Sequence, residues 1–595
     1  MPITKRISTF AKAIMLAVLF AAAGARAQDD VAMRAMKDEL ARTMQQIQMR
    51  DMDKPYFVAY RMDDLNETEI SASLGSLTQD QPIRMRFIGA EVRVGSPSVD
   101  NTNYFSSRTF AGGALGILGG IRRAPIDDNY SEIRRAFWLA TDSQYKKALE
   151  DLTAKRAAIA AQNGTTKVPD FSMEPVNVAL APPVAAPAPV DELKKLAKDL
   201  SAVFLSMPDI YDSSAEIKRH TGFTRYVSSE GSTFTRPDQI IRLKIEARAQ
   251  AADGLPIADS IEVYGRSLAD LPPEEELIAR TRTMADRILK LRSATSLERY
   301  TGPVLFEGEA APEIFAQAFA PGLTAVRAPI SDQPAFQQFF DQMMGQLGGR
   351  SFEDKIGGRV LPAFLSVTDS PLISSFHGLN LMGTSTIDDD AVATRETKLV
   401  ERGYLKTLLS TRAPTNEIAE STGSRRGWGP APSNLLVTND KPATDADLRK
   451  QLLQMASDRG LKYGIIVRHV GGGSSAYFLK IAAQMMQQGE QPGDSMAEVY
   501  KLYPDGHEEL VQGIQIAEMT AAPFRDIVAA GDTPAVYTDE FIPRISAIFS
   551  FGISSASQAP VVSYVAPPLL FEEMSLVKTE GPFPSPPIGS SPLAK

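Results

Sequence analysis

The residues best suited to chemistry are carboxylates. Glu307, Glu309 and Glu313 cluster in "GPVLFEGEAAPEIFAQAF" (302–319), where a buried-strand pattern runs into a helical one. Three readings are open. Glu309 and Glu313 can sit at a helix N-terminus, with Pro312 tolerated in the first turn. The group can bind peptide amines or basic side chains. It can also form an alternative metal site, although carboxylates alone hold Zn²⁺ poorly. A second run, Asp388-Asp389-Asp390, has enough oxygens for Ca²⁺ or Mg²⁺. It lacks EF-hand spacing, and neighbouring strand residues face opposite ways, so a turn or loop is the better reading. The four histidines, His220, His377, His469 and His507, are never four apart, and HExxH is absent. "HEEL" at His507 follows the turn "PDG" and reads as an exposed hairpin. There is no cysteine, so thiolate ligands and disulfides are excluded and a tetrahedral zinc site has almost no ligands. GxSxG is also absent. In "GGGSSAYF" (471–478), the bare backbone of Gly471, Gly472 and Gly473 can approach a ligand closely, but triple glycine also makes plain turns. These motifs alone do not specify a reaction.

The elements that must position them fall into two halves. A chain of 595 residues, 43% hydrophobic and 23% charged, is too long for one ordinary core. Its net charge of −9 offers no basic footprint for nucleic acid. Lys5 and Arg6, the short apolar run "FAKAIMLAVLFAAAGA" and the small-x-small site Ala25-Arg26-Ala27 read as a signal peptide cleaved before Gln28. Without cysteine a lipid anchor is excluded, and no later stretch is apolar enough for stable membrane insertion. A periplasmic or secreted protein is expected.

Met33, Met36, Leu40, Met44 and Ile47 share one helical face. "KPYFVAYRM", "ETEISASLGSL" and "IRMRFIGAEVRVG" read as three strands, with a bulge near Ile88 where the apolar phase changes. Residues 130–161 are helical, with an N-cap at Thr141 or Asp142. "EPVNVALAPPVAAPAPV" is a stiff linker, and "DELKKLAKDLSAVF" resumes helix. "GFTRYVSSEGSTFTRP" is a hairpin turning at Ser229-Glu230-Gly231, and "PPEEELIARTRTMADRILKLRSA" is a long helix. From about Tyr300 the chain is richer in Gly, Pro and strand patterns. The fold class is α+β. We expect a signal at 1–27, an N-terminal α+β domain at 28–299 and a β-rich C-terminal domain at 300–579. A helical insertion with its Pro/Ala linker occupies about 108–191, and 580–595 is a disordered tail.

The order of the C-terminal segments carries a resemblance. The glutamate stretch is followed by "LSVTDSP", "GTSTIDDDAVATRETKLVERGYLKTLLSTR", "STGSRRGWGPAPSNLLV", "GIIVRHVGGGSSAYF" and "VYKLYPDGHEELVQGIQIAEMTAAPFRDIVAAGD". This series resembles the C-terminal domain of the TldD/PmbA family, zinc metallopeptidases also called modulators of DNA gyrase. "YVSSEGSTFTR" and the helix before Tyr300 are similar to the family's first domain. The resemblance is weakest between about Arg108 and Asp191.

The resemblance implies proteolysis, a zinc cofactor and a dimer enclosing a peptide-sized chamber. In the TldD branch the strand–helix joint carries HExxxH, and a later cysteine completes the zinc site. Here the histidines' places fall near Glu307 and Pro312, and the cysteine is missing, so no zinc ligand carries over. The chain looks like the metal-free PmbA branch. The implied function is a pseudo-enzyme: a peptide-binding subunit, or a partner subunit paired with itself or with an HExxxH-bearing relative. Its partner would be a peptide or unfolded segment. The alternatives are an active peptidase with a non-standard site, using Glu307, Glu309 or the Asp388–Asp390 cluster, and a cell-envelope scaffold.

Overall fold

Alternating apolar residues build the N-terminal half around long strands. The structure, a computed structural model, describes residues 30–105, 121–161, 168–184, 187–331, 351–473, 495–517, 519–541, 559–581 and scattered positions from 583 to 594. The signal segment, part of the insertion, residues 474–478 of the glycine stretch and much of the tail lie outside the described residues.

Helix α1 (Val31–Gln46) starts where the Asp30 carboxylate accepts from Met33 N at 2.7 Å, and it buries Met33, Met36 and Leu40 as the spacing requires. "KPYFVAYRM" and "ETEISASLGSL" are one strand, β1 (Pro55–Ser73), not two. The intervening acids stay in the sheet because arginines pair with them: Arg61 with Asp63, and Arg86 and Arg225 with Asp64. β2 (Ser76–Ser96) pairs antiparallel with β1. The bulge expected near Ile88 is absent, since Met62↔Ile88 and Asp63↔Phe87 lie in unbroken register. The apolar phase changes for another reason. Arg86 takes a place on the helix-covered face beside Asp64 and Asp128, and Ile88, Ala90, Val92 and Val94 then pack under the helices.

Helix α2 (Tyr130–Ala161) is continuous. Thr141 is therefore not an N-cap. It lies inside the helix, donates to Phe137 O at 2.7 Å and bonds the buried Tyr60 hydroxyl at 2.8 Å. Among the described residues of the Pro/Ala segment, β3 (Val178–Leu180) is the stretch that pairs as a strand, parallel to the next sheet strand but one. Then follow α3 (Val190–Ala202), β4 (Asp212–Ser228), β5 (Thr233–Gln250), β6 (Pro256–Gly265) and α4 (Glu274–Leu291). The sheet order is β2-β1-β4-β5, with β3 and β6 both on β5. The Ser229–Gly231 turn is as read, with Gly231 at φ +100°. Helices α1 to α4 cover one face. On the other, Phe57, Ala59, Tyr226 and Phe234 meet Ile387 and Ala391 of the C-terminal half.

The C-terminal half has two principal sheets. Its elements are β7 (Arg299–Phe306), α5 (Ala310–Ile314), β8 (Leu365–Asp369), β9 (Thr397–Glu401), β10 (Asn434–Asn439), α6 (Asp445–Asp458) and β11 (Gly464–His469). They continue with β12 (Glu498–Leu502), β13 (Glu508–Gln512), β14 (Ile527–Gly531), β15 (Ala535–Glu540), β16 (Val561–Ala566) and β17 (Leu569–Lys578). One sheet runs β13-β12-β11-β7-β17-β14 and the other β9-β8-β10-β16-β15. They share a core around Phe306, Phe315, Phe319, Phe524 and Phe571. The molecule is a two-domain α+β protein, and among the described residues no helix is long and apolar enough to cross a membrane.

Candidate functional site

β7 and β11 are parallel neighbours, pairing Val304↔Ile465, Leu305↔Ile466 and Phe306↔Val467. Both strands therefore end on the same side, and Glu307 N extends the pairing to Val467 O at 2.9 Å. The glutamate joint after β7 and the glycine loop after β11 emerge together, as loops at the carboxyl ends of parallel strands do. Ala310, Ala311, Ile314 and Phe315 seat α5 in the core, and Gly308 makes the preceding turn at φ +56°. The helix continues beyond Ile314 as one wider π turn, Phe315–Phe319.

The three glutamates have three different fates. Glu307 receives a fork from Arg449 at 2.7 and 2.9 Å and a further bond from Arg468 at 3.2 Å. Glu309 is exposed at the helix start and makes no capping bond. Glu313 is buried and accepts from Val470 N and Gly471 N, both at 2.7 Å. One turn on, Gln317 donates to Gly471 O at 3.0 Å. The face of α5 that meets the glycine loop is thus Glu313 and Gln317, and both hold loop backbone. Glu313 is not a solvent-facing residue at the helix dipole. Gly471, Gly472 and Gly473 have φ of +83°, +85° and +53°, which favour glycine. Both peptide groups of Gly471 are already bonded, whereas Gly472 is exposed. A Cβ on Gly473 would lie 3.2 Å from Asp539 Oδ2 and 3.3 Å from the Tyr537 hydroxyl, so that backbone passes close to polar side chains of β15.

His469 ends β11 and joins this loop to the N-terminal half. Its Nδ1 is 3.0 Å from Asp259 on β6, and its Nε2 is 3.6 Å from Glu313. Arg287 of α4 also bonds Asp259, at 2.9 Å through Nε, and reaches Glu498 on β12. Burial alone would lower the imidazole pKa, but Glu313 and Asp259 outweigh it and raise it to about 9. Burial would raise Asp259, yet His469 and Arg287 hold it below the ordinary carboxylate range. An imidazolium is therefore suspended between carboxylates of both halves. Sequence spacing could not reveal this, because Asp259 and His469 are far apart in the chain.

The Asp388–Asp390 run is a turn, as read, but a buried one. Asp389 pairs with Arg61 at 2.8 Å and Arg236 at 2.5 Å, both from the N-terminal sheet, and accepts from Gly427 N at 2.6 Å. Asp390 pairs with Arg425. Asp388 accepts from Asp390 N, Val392 N and Arg425 N at 2.8–3.0 Å. Burial and the neighbouring Asp390 push Asp388 up to about 8, while Arg61 and Arg236 overcome burial and hold Asp389 well below the carboxylate range. Of the other histidines, His220 bonds Glu67 at 3.2 Å within the N-terminal sheet, and His377 and His507 are exposed.

These residues do not fit a zinc ion. Glu307 lies in the turn before α5 and Pro312 inside it, so a histidine pair at those places would not share a helix face. The two ring nitrogens of His469 face different carboxylates on opposite sides. Among the described residues no three His, Asp or Glu side chains converge in a metal-holding arrangement.

Comparison with known proteins adds lineage to this geometry. Residues 299–578 match the model of the PmbA/TldA metallopeptidase C-terminal domain. A Thermotoga maritima structure described as a "putative modulator of a DNA gyrase" aligns over 91% of this chain and 99% of its own, with TM-score 0.56 and 17% identity. A Bacteroides thetaiotaomicron structure with a similar description aligns over 92% and 98%, with TM-score 0.53 and 11% identity. At these identities the likeness is one of fold. No curated protein matches the chain.

Proposed function

Since the chain belongs, through its C-terminal domain, to the TldD/PmbA metallopeptidase family, we propose that it is an exported peptide-binding or partner subunit that works without zinc of its own. The observation that carries this reading is what α5 presents to the glycine loop. Where a zinc peptidase needs neutral imidazoles and a free carboxylate base, this helix offers Glu313 and Gln317, both committed to loop backbone. An amide is not hydrolysed at neutral pH without an activated water or nucleophile. The exposed backbone at Gly472 suits pairing with an extended peptide. The partner is a peptide or unfolded segment. Assembly is a homodimer, or a heterodimer with an HExxxH-bearing relative. Export rests on the apolar stretch before Ala27, and N-terminal sequencing of the exported protein should begin at Gln28.

The test mixes purified protein with a library of unfolded peptides, with and without Zn²⁺. Binding without cleavage is expected. Cleavage in both cases, abolished by Glu307→Gln or Glu309→Gln, would instead establish an active peptidase. Neither binding nor cleavage, with a monomer on sizing, would leave a scaffold.

A further inference from the structure

The N-terminal sheet has one edge that carries none of the usual protection. β3 runs along the start of β5, and among the described residues β5 is its only strand neighbour. Its bonds to β5 leave from odd-numbered positions: Thr233 N donates to Asn177 O at 2.9 Å, and Ala181 N donates to Thr235 O at 3.3 Å. The pleat then turns the N–H and C=O of Val178 and Leu180 away from β5. No hydrogen bond reaches these outward groups among the described residues. Ala179 packs inward beside Phe57, Tyr226 and Phe234, so Val178 and Leu180 share the opposite face, where they are 68% and 43% exposed. Val176, one strand repeat earlier, is exposed as well.

Native edge strands are blunted by lysine, proline, a bulge or a covering element. Pro175 and Pro182 bound this edge, but the stretch between them, "VNVALA" (176–181), contains no charge and no proline. The edge is also tied down at both ends. Asn177 Nδ2 donates to Ala391 O at 3.0 Å, and Thr235 Oγ1 donates to Ala181 O at 2.8 Å. An incoming chain therefore meets a strand that is already ordered, which lowers the entropy cost of binding.

We propose that β3 is a second peptide site, separate from the glycine loop, which takes an extended uncharged segment with apolar residues at alternate positions and adds it to the sheet as a further strand. The outward backbone groups select an extended chain, because a helix satisfies its own amides. The row of Val176, Val178 and Leu180 selects apolar side chains at every second position. The size of the edge selects a peptide over a second copy of this chain. Stable protein–protein interfaces engage about 20–30 residues a side. Here the open edge ends at the two prolines, residues 176–181.

The experiment uses the full chain and a fluorescently labelled peptide of alternating Val and Thr with a Lys at each end, read by anisotropy. Its control carries N-methyl groups on the central amides, which removes backbone donors and keeps the side chains and charge. Saturable binding of the parent peptide is expected, with the Val178 and Leu180 amides gaining protection from hydrogen exchange. The control should bind about tenfold more weakly or worse, as loss of one or two backbone bonds implies. Val178→Pro should weaken the parent peptide to the same degree. It removes an outward donor and none of the bonds between β3 and β5, so circular dichroism should not change. Val178→Lys/Leu180→Lys keeps both amides and blunts the edge with charge, and it should weaken binding too. The proposal is overturned by absence of binding, by equal binding of the N-methylated control, or by binding that both variants leave unchanged. It is also overturned by self-association of the chain that Val178→Pro abolishes, which would make a second copy the occupant. Binding at the glycine loop would survive both variants, so the two sites fail or succeed separately.

Discussion

Two runs of acids on the C-terminal half are similar in composition and opposite in circumstance. The Asp388–Asp390 turn is buried, and the cations facing Asp389 come from the other domain: Arg61 on β1 and Arg236 on β5. The Glu307–Glu313 joint takes its partners from its own domain: Arg449, Arg468 and the glycine-loop amides. Burial makes a charge costly when its partner is removed, and the partner's origin decides what is lost with it. At the aspartates the domains are sealed together. At the glutamates a loop is held in shape, and one surface pair is nearly dispensable.

The largest break in this comparison should come from Asp389→Ala. It leaves Arg61, only 4% exposed, without its cross-domain carboxylate. Removing one partner of a buried pair typically destabilises by about 3–5 kcal/mol. Denaturant unfolding should show a loss of that size. A loss under about 1 kcal/mol, the range of exposed pairs, would mean the seal lies elsewhere.

The next effect is one of pH. His469 has a folded pKa of about 9, raised from the ordinary 6.5. A raised base stabilises the fold fully below its unfolded pKa and loses that contribution as pH climbs through the folded one. Stability should therefore fall between about pH 6.5 and 9, by at most about 3 kcal/mol from this group. His220, also raised to about 9 against burial by Asp238 and Glu67, titrates in the same window. The two are separable by variant. His469→Asn should flatten part of the slope and also increase hydrogen exchange at the β6–β11 contact, whereas His220→Asn should leave that contact protected.

Much of this fold is legible in the sequence because it is local. Helix spacing in α1, the Ser229–Gly231 turn and the strand-to-helix switch at Phe306 each depend on neighbours within a few residues. The β1 reading fails for a non-local reason: Asp63 and Asp64 look like a break until Arg61, Arg86 and Arg225 neutralise them. The phase change at Ile88 likewise records a buried arginine and not a bulge. At the site, the glutamates were visible but their roles were not. Glu307, Glu309 and Glu313 differ only in what β11 and α6 bring to them, and those strands and helices lie more than a hundred residues away. The link from His469 to Asp259 has no sequence signal at all.

Glu313→Ala should cost less than the aspartate change, about 2 kcal/mol. It strands the buried Val470 amide and the half-buried Gly471 amide, each of which loses a charge-assisted bond. The sharper readout is local. Hydrogen exchange at Val470 and Gly471 should rise while exchange in β8 and β10 stays unchanged. A variant in which both regions open equally would make Glu313 part of the general core and not an anchor of the loop.

The smallest effect should come from Glu307→Gln, and it bears most directly on whether this joint is catalytic. Glu307 faces Arg449, 38% exposed, and Arg468, 30% exposed, in water-accessible surroundings where pairs contribute about 0–1 kcal/mol. Both arginines keep a second carboxylate, since Arg449 lies 3.3 Å and Arg468 2.8 Å from Glu508. Loss of Glu307 therefore leaves each cation a carboxylate, whereas loss of Asp389 takes the paired carboxylate from Arg236 and leaves the buried Arg61 with Asp63. The unfolding midpoint of Glu307→Gln should consequently stay within about 1 kcal/mol of the parent, with that small difference shrinking in molar salt. A loss of several kcal/mol would erase the contrast with the aspartate turn. An unchanged fold with abolished peptide cleavage would show that this glutamate works on substrate, despite the arginines around it.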